Sequence, residues 1–435
     1  MEWLKEHKRL IMDIGLFLLL FIITMVISLI LVDTWGDQVW SYGFSYNISK
    51  GMIIYKDFNA VQTPLYFMIG SLFIKIFGNY MISTCILDSL VIAAMGLLMY
   101  KTIGIKFIFP LFITLFYCPS PYNLLCMMLL VIILYLIDKN KYNDYLVALI
   151  VGLILITKQN LGVLLFIPMF FYSKHKIKSI CIFLIPFSLL CIYFLFNHSL
   201  FNFIDYTILG LINFTQNLYY ESFFLFIEIV CFIYLFYKLI KSKFKDKEAF
   251  YILLFQLIAY PLYDARHVSA ALVLFLYYFF KNCKNNMVKI FIGVVAINWM
   301  CAVFITSDYH PHINTKKDLL FLRNLDISKY INRIKEDYNG DIKNLYFDSE
   351  YSYLVKLYYG IPISKYDLMV DGNLGFHNKD NTYKDLEKHC KKEKCTFYIY
   401  SGVADDSQWI EFRKFITNHY KKTGEFDIMD IYSSK

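Results

Sequence analysis

Apolar residues in this chain fall in long unbroken runs separated by short polar breaks. That pattern predicts membrane-spanning helices rather than the alternation of a water-soluble protein. The first run, Leu10 to Val32, is long enough to cross a hydrocarbon core of about 30 Å. It follows Lys5, Lys8 and Arg9, and it ends in Val32-Asp33-Thr34-Trp35 without a small-residue cleavage site, so it reads as an uncleaved anchor. Runs at 80–100, 105–118, 121–137, 144–157, 160–172, 179–196, 222–240, 248–260, 267–281 and 287–306 bring the predicted total to eleven spans. Pro64 to Phe77 is apolar but only about three to four turns long, and it carries Lys75. It suits a helix lying along the interface, with the proline opening its first turn.

Basic residues test this topology. With 64–77 kept at the interface, Lys101, Lys106, Lys139, Lys141, Lys174, Lys176, Lys178, Lys238, Lys241, Lys243, Lys245, Lys247, Lys281, Lys284 and Lys289 share the amino-terminal, cytoplasmic side. Only Lys50, Lys56, Lys75, Lys158 and Arg266 remain in the outer loops. Making 64–77 a span would reverse the asymmetry. Eleven spans place everything after Thr306 outside, where the sequence turns polar. There, strand-like runs (Asn344 to Phe347, Thr396 to Tyr400) alternate with helix-like ones (Thr382 to Cys390, Trp409 to Tyr420). The expected fold class is a polytopic α-helical membrane domain over 1–306 with a small extracytoplasmic α/β domain over 307–435.

Composition agrees. At 58% hydrophobic and 18% charged residues, with mean hydropathy +0.48, the chain is too apolar for a soluble cytosolic enzyme. The net charge of +8 sits between spans, as topology-setting charge does, so no nucleic-acid partner is expected. Cys85, Cys126, Cys181, Cys191, Cys231 and Cys301 lie in apolar runs as small hydrophobes. Cys390 and Cys395, in the polar tail, are either a pair or two free thiols. Abundant Lys, Asn, Ile, Tyr and Phe fit an AT-rich bacterial genome, hence a bacterial cytoplasmic membrane.

Candidate chemistry gathers in the outer segments. Asp37 follows the first span, and Asp57 lies twenty residues on in Gly51-x-x-x-Tyr55-Lys56-Asp57-Phe58, followed by Gln62-Thr63-Pro64. Two carboxylates on a folded-back loop suit acid–base work, whereas taken by composition alone they are solvated loop acids or caps. Thr157-Lys158-Gln159-Asn160 interrupts an apolar stretch, and a lysine at that depth is either an anion ligand or a snorkelling side chain. In Pro261-x-Tyr263-Asp264-x-Arg266-His267, Arg266 offers a planar fork to phosphate and His267 a further hydrogen bond. The plainer account pairs Arg266 with Asp264. Asp371-Gly372-Asn373-Leu374-Gly375 reads as a tight turn. Walker, dinucleotide and zinc spacings are absent from the sequence.

The acid after the first span, the G-x-x-x-Y-x-D-F motif and the proline-led helix ending Ile76-Phe77-Gly78 resemble integral-membrane glycosyltransferases of the GT-C class. The nearest groups are the family 39-like bacterial relatives of protein O-mannosyltransferases and aminoarabinose transferases. The resemblance implies a polyprenyl-phosphate sugar donor held among membrane lipid, and an extracytoplasmic glycan, lipid or protein acceptor. It makes Asp37 the base for the acceptor hydroxyl and Asp57 a second acid that binds acceptor or metal, with Tyr55, Gln62 and Pro64 positioning the loop. Lys158, Arg266 and His267 then become donor-phosphate ligands, and the single displacement inverts the anomeric centre. Those enzymes place an acid immediately before the proline helix, where this chain has Gln62 and Thr63, so a divalent metal is left open. The rival reading is a transporter or flippase of lipid-linked glycans. Such proteins concentrate polar groups at broken helices near the bilayer centre and repeat in halves, neither of which is evident in the sequence.

Overall fold

The structure, a computed structural model, describes residues 7–31, 37–117, 119–213, 219–260, 262–285, 293, 332–334, 342–348, 351–370, 373–401 and 409–434. The predicted span at 287–306 lies outside the described residues apart from Gly293, and Trp35, Gly36, Pro261, Asp371 and Gly372 also lie outside them. The described residues are mostly helical. Lys8–Leu31, Met81–Ile103, Ile108–Tyr117, Pro121–Asp138, Asp144–Leu155, Gln159–Tyr172, Lys176–Phe196, Ser222–Lys241, Lys247–Gln256 and Ala265–Asn282 all fall on predicted runs. Five stretches among the described residues are long and apolar enough to cross a membrane, while Asp144–Leu155 and Gln159–Tyr172 are shorter. Ile14, Leu18, Ile22 and Val26 stand exposed at a four-residue spacing along the first helix, a surface that meets hydrocarbon at no cost.

The chain divides into two compact units. One comprises Met1–Val32, Cys85–Leu189 and Asn217–Pro311. Within it, a Cβ on Gly162 would lie 2.2 Å from the Leu155 Cα and one on Gly152 would lie 2.5 Å from the Phe183 carbonyl oxygen. Asp144–Leu155 therefore approaches both Gln159–Tyr172 and Lys176–Phe196 at backbone range, as small residues allow in membrane bundles. Within the same unit Lys101 pairs with Asp13, and Lys281 with Asp138 and Glu248, each at 2.6 Å.

The second unit joins Asp33–Thr84, Leu190–Gln216 and His312–Lys435. Its first surprise is a helix, Asp37–Ser49, where the sequence reads as loop. Val39, Ser41, Tyr42, Gly43, Phe44, Ser45, Tyr46 and Asn47 are all buried, so the helix has no polar face for periodicity to reveal. It packs on Leu65–Phe77, where Gly70 admits Ser45: a Cβ there would stand 2.4 Å from the Ser45 hydroxyl. Pro64 is the cap before that second helix rather than its first residue, and its carbonyl accepts from the Met68 amide at 2.9 Å.

The carboxy-terminal part is α/β, as the alternating runs predict. Its four-stranded sheet is ordered Leu345–Phe347, Thr396–Tyr400, Met429–Ser433, Lys421–Phe426; the first pair is parallel and the rest antiparallel. Tyr351–Tyr358, Asn378–Lys392 and Ile410–His419 supply helices, and Phe397, Phe412 and Ile416 fill the core. Cys390 and Cys395 are joined as a disulfide.

Candidate functional site

The first outer loop is built by the chain segment between the helices Asp37–Ser49 and Leu65–Phe77. Asp37 is the first residue of its helix and is half-buried. At the other end of the loop, the Ile53 amide donates to Asp57 Oδ2 at 2.7 Å and the Asp57 amide to the Ile53 carbonyl at 2.9 Å. Asp57 thus closes the turn it sits in, a structural task that spacing alone did not disclose.

Tyr55 is the pivot of that turn. Its φ of 69° places a bulky residue in the left-handed region, which persists only where the surroundings enforce it. Here the ring is fully buried against Phe194, Phe203 and Tyr206, and the hydroxyl donates to the Gln62 carbonyl at 2.6 Å. Burial drives the phenol well above its ordinary pKa, so Tyr55 stays a neutral donor. Of the predicted positioning residues, Gln62 meets Tyr55 through its backbone carbonyl, and Pro64 caps the helix that follows.

Buried carboxamides hold the loop against the rest of its unit. Asn47 donates to the Ile363 carbonyl at 2.7 Å and accepts from the Ile363 amide at 3.0 Å, the Tyr46 hydroxyl donates to the Gly360 carbonyl at 2.8 Å, and Asn59 donates to the Lys365 carbonyl at 3.2 Å. From the second outer segment, Asn202 donates to the Tyr55 carbonyl at 3.0 Å. Sequence reasoning missed Asn47, Asn59 and Asn202; the available signal was an amide embedded in aromatic sequence.

The first unit holds the cationic candidates separately. Lys158, extended in backbone, is the cap residue ahead of Gln159–Tyr172, and its ammonium donates to Asn123 Oδ1 at 2.9 Å and lies 5.7 Å from the Tyr122 ring centre. Asn123 sits in the first turn of Pro121–Asp138, so Lys158 is aimed back toward a helix start rather than snorkelling outward. Asp264 precedes the helix Ala265–Asn282 and accepts from the His267 amide at 2.9 Å. The same carboxylate meets His267 Nδ1 at 2.9 Å, which orients the ring and leaves Nε2 as the nitrogen Asp264 does not engage. Arg266 lies in this helix's first turn, and its side chain is outside the described residues. Among the described residues no three His, Cys, Asp or Glu side chains gather as metal ligands do.

The whole architecture is similar to solved structures of ArnT from Cupriavidus metallidurans. For ArnT bound to undecaprenyl phosphate the TM-score is 0.55 at 10% identity, covering 99% of this chain and 98% of that one. For the apo state it is 0.53 at 9% identity, with the same coverage. At such identity the likeness is one of fold. Protein-family models and curated protein sequences give no match.

Proposed function

From the GT-C membrane-glycosyltransferase fold that the chain shares with ArnT, we propose that this protein transfers a sugar from a polyprenyl-phosphate carrier to an acceptor outside the cytoplasmic membrane. The observation that carries the reading is the end-to-end match to a structure bound to undecaprenyl phosphate, in a chain whose first outer segment already bears the paired acids.

In this reading Asp37 takes the proton of the acceptor hydroxyl as its oxygen bonds to the anomeric carbon. The bond from that carbon to the phosphate oxygen breaks, and polyprenyl phosphate leaves with the electron pair. One displacement inverts the anomeric centre. Lys158, Arg266 and His267 offset the charge that grows on the departing phosphate. Asp57, fixed by Ile53, binds an acceptor hydroxyl. The amino terminus is cytoplasmic and residues 307–435 are extracytoplasmic.

The test compares membranes containing wild-type protein or Asp37→Asn at matched expression, supplied with radiolabelled undecaprenyl-phosphate sugars and cell-envelope acceptor. Loss of a general base lowers turnover by about 10²–10⁴-fold. Equal activity in the two would remove Asp37 from the chemistry.

A further inference from the structure

The second outer segment and the carboxy-terminal domain reach the first loop through a chain of polar contacts. Asn202, in the short helix Leu200–Ile204, donates to the Tyr55 carbonyl at 3.0 Å and accepts from the Asn378 amide nitrogen Nδ2 at 3.1 Å. One turn on, Asp205 is fully buried. Its carboxylate accepts from the backbone amides of His377 and Asn378 at 2.9 and 3.1 Å and meets His377 Nδ1 at 2.9 Å. It thereby caps the helix Asn378–Lys392 from another part of the chain, where the helix's unsatisfied amides favour negative charge. Gly375 makes room for this: its φ is +74°, and a Cβ there would stand 2.4 Å from Asp205 Oδ2.

A surface loop needs no such device to stay folded. The contacts converge on the carbonyl of Tyr55, among the described residues the one buried non-glycine residue with a left-handed backbone, two positions before Asp57. We infer that Asn202 is a positioning residue: held by Asn378, with Asp205 fixing the helix that carries Asn378, it sets the Tyr55–Asp57 turn for acceptor binding. The inference rests on the transferase reading for its kinetic consequence and on geometry alone for its structural one.

The two are separable. In the full-length protein, Asn202→Ala and Asn378→Ala each loosen the turn, and tryptic cleavage after the exposed Lys56 quickens at least several-fold while cleavage in the carboxy-terminal domain is unchanged. Kinetically, with solubilised cell-envelope glycolipid titrated against a saturating undecaprenyl-phosphate sugar, each substitution raises the apparent acceptor KM about tenfold and leaves the donor KM unchanged. The double variant is no worse than either single one, because both break the same relay. Asn202→Gln, which keeps the amide, recovers part of the loss. A variant that merely folds poorly would lower the active fraction and leave KM alone. Cleavage at Lys56 at the wild-type rate, or an unchanged acceptor KM in active protein, overturns the inference. Faster cleavage in a protein that transfers no sugar keeps the positioning role and removes the transferase reading.

Discussion

The two compact units handle polarity in opposite ways. In the first, the candidate polar groups engage near neighbours along one or two helices: His267 with Asp264 three residues back, and Lys158 with Asn123 thirty-five residues away. In the second, contacts reach much farther along the chain, with Asn47 clasping Ile363 across 316 residues and Asp205 holding His377 across 172. A bundle of apolar helices is held by packing and tolerates local polar islands. An outer loop is held by its hydrogen bonds, and its geometry depends on segments far along the sequence. The loop acids are therefore only as well placed as the carboxy-terminal domain makes them.

The largest effect that would break this contrast is at Asn47. Asn47→Ala strands the buried Ile363 amide and carbonyl, and each unsatisfied group costs about 1–3 kcal/mol. The expected result is a drop in the second unit's stability of a few kcal/mol, read as protease resistance of the carboxy-terminal domain. Asn123→Ala in the first unit is expected to leave stability nearly unchanged. Equal losses in the two variants would erase the distinction.

Next in size is Lys158→Ala. Under the proposed function this removes a charge-assisted contact to the donor phosphate and is expected to raise the donor KM by about 10–100-fold, with thermal stability retained. A rise in acceptor KM instead would place Lys158 on the wrong substrate.

The difference between the units also explains what the sequence disclosed. The apolar helices were legible because each apolar run is its own signal, and ten of those runs carry helices in the structure. The helix Asp37–Ser49 was not legible, since burial on every face leaves no stripe. Tyr55 and Pro64 stood out by type and spacing. Asn47, Asn202 and Asn378 did not, because partners 147 to 316 residues away do not show in local spacing. The Cys390–Cys395 pair was open in the sequence and is closed by the fold, which brings the Cα atoms to 5.3 Å.

That disulfide gives a smaller, sharper test. Loop entropy for so short a closure amounts to about 2 kcal/mol. Cys395→Ser is therefore expected to lower the carboxy-terminal domain's unfolding free energy by that amount, and reductant to do the same to wild type only. No change on reduction would show that the bond contributes nothing to stability.

Smallest is a pH effect. Burial holds the Lys356 ammonium below its ordinary pKa, opposed by the carboxylate of Asp367 at 2.7 Å. Between that lowered value and 10.5 the unfolded chain carries a proton that the folded one lacks, so this group makes stability rise with pH across the window and level off above it. Denaturation of Lys356→Met should lack this rise; the same slope in the variant would assign it elsewhere.

The account's central claim, transfer from a lipid-linked donor, is tested most directly in proteoliposomes loaded with a radiolabelled undecaprenyl-phosphate sugar and supplied with cell-envelope acceptor. The account predicts label on the acceptor and one undecaprenyl phosphate released per sugar moved. Label that crosses the bilayer still attached to its carrier, with no free undecaprenyl phosphate formed, would contradict it and identify a transporter.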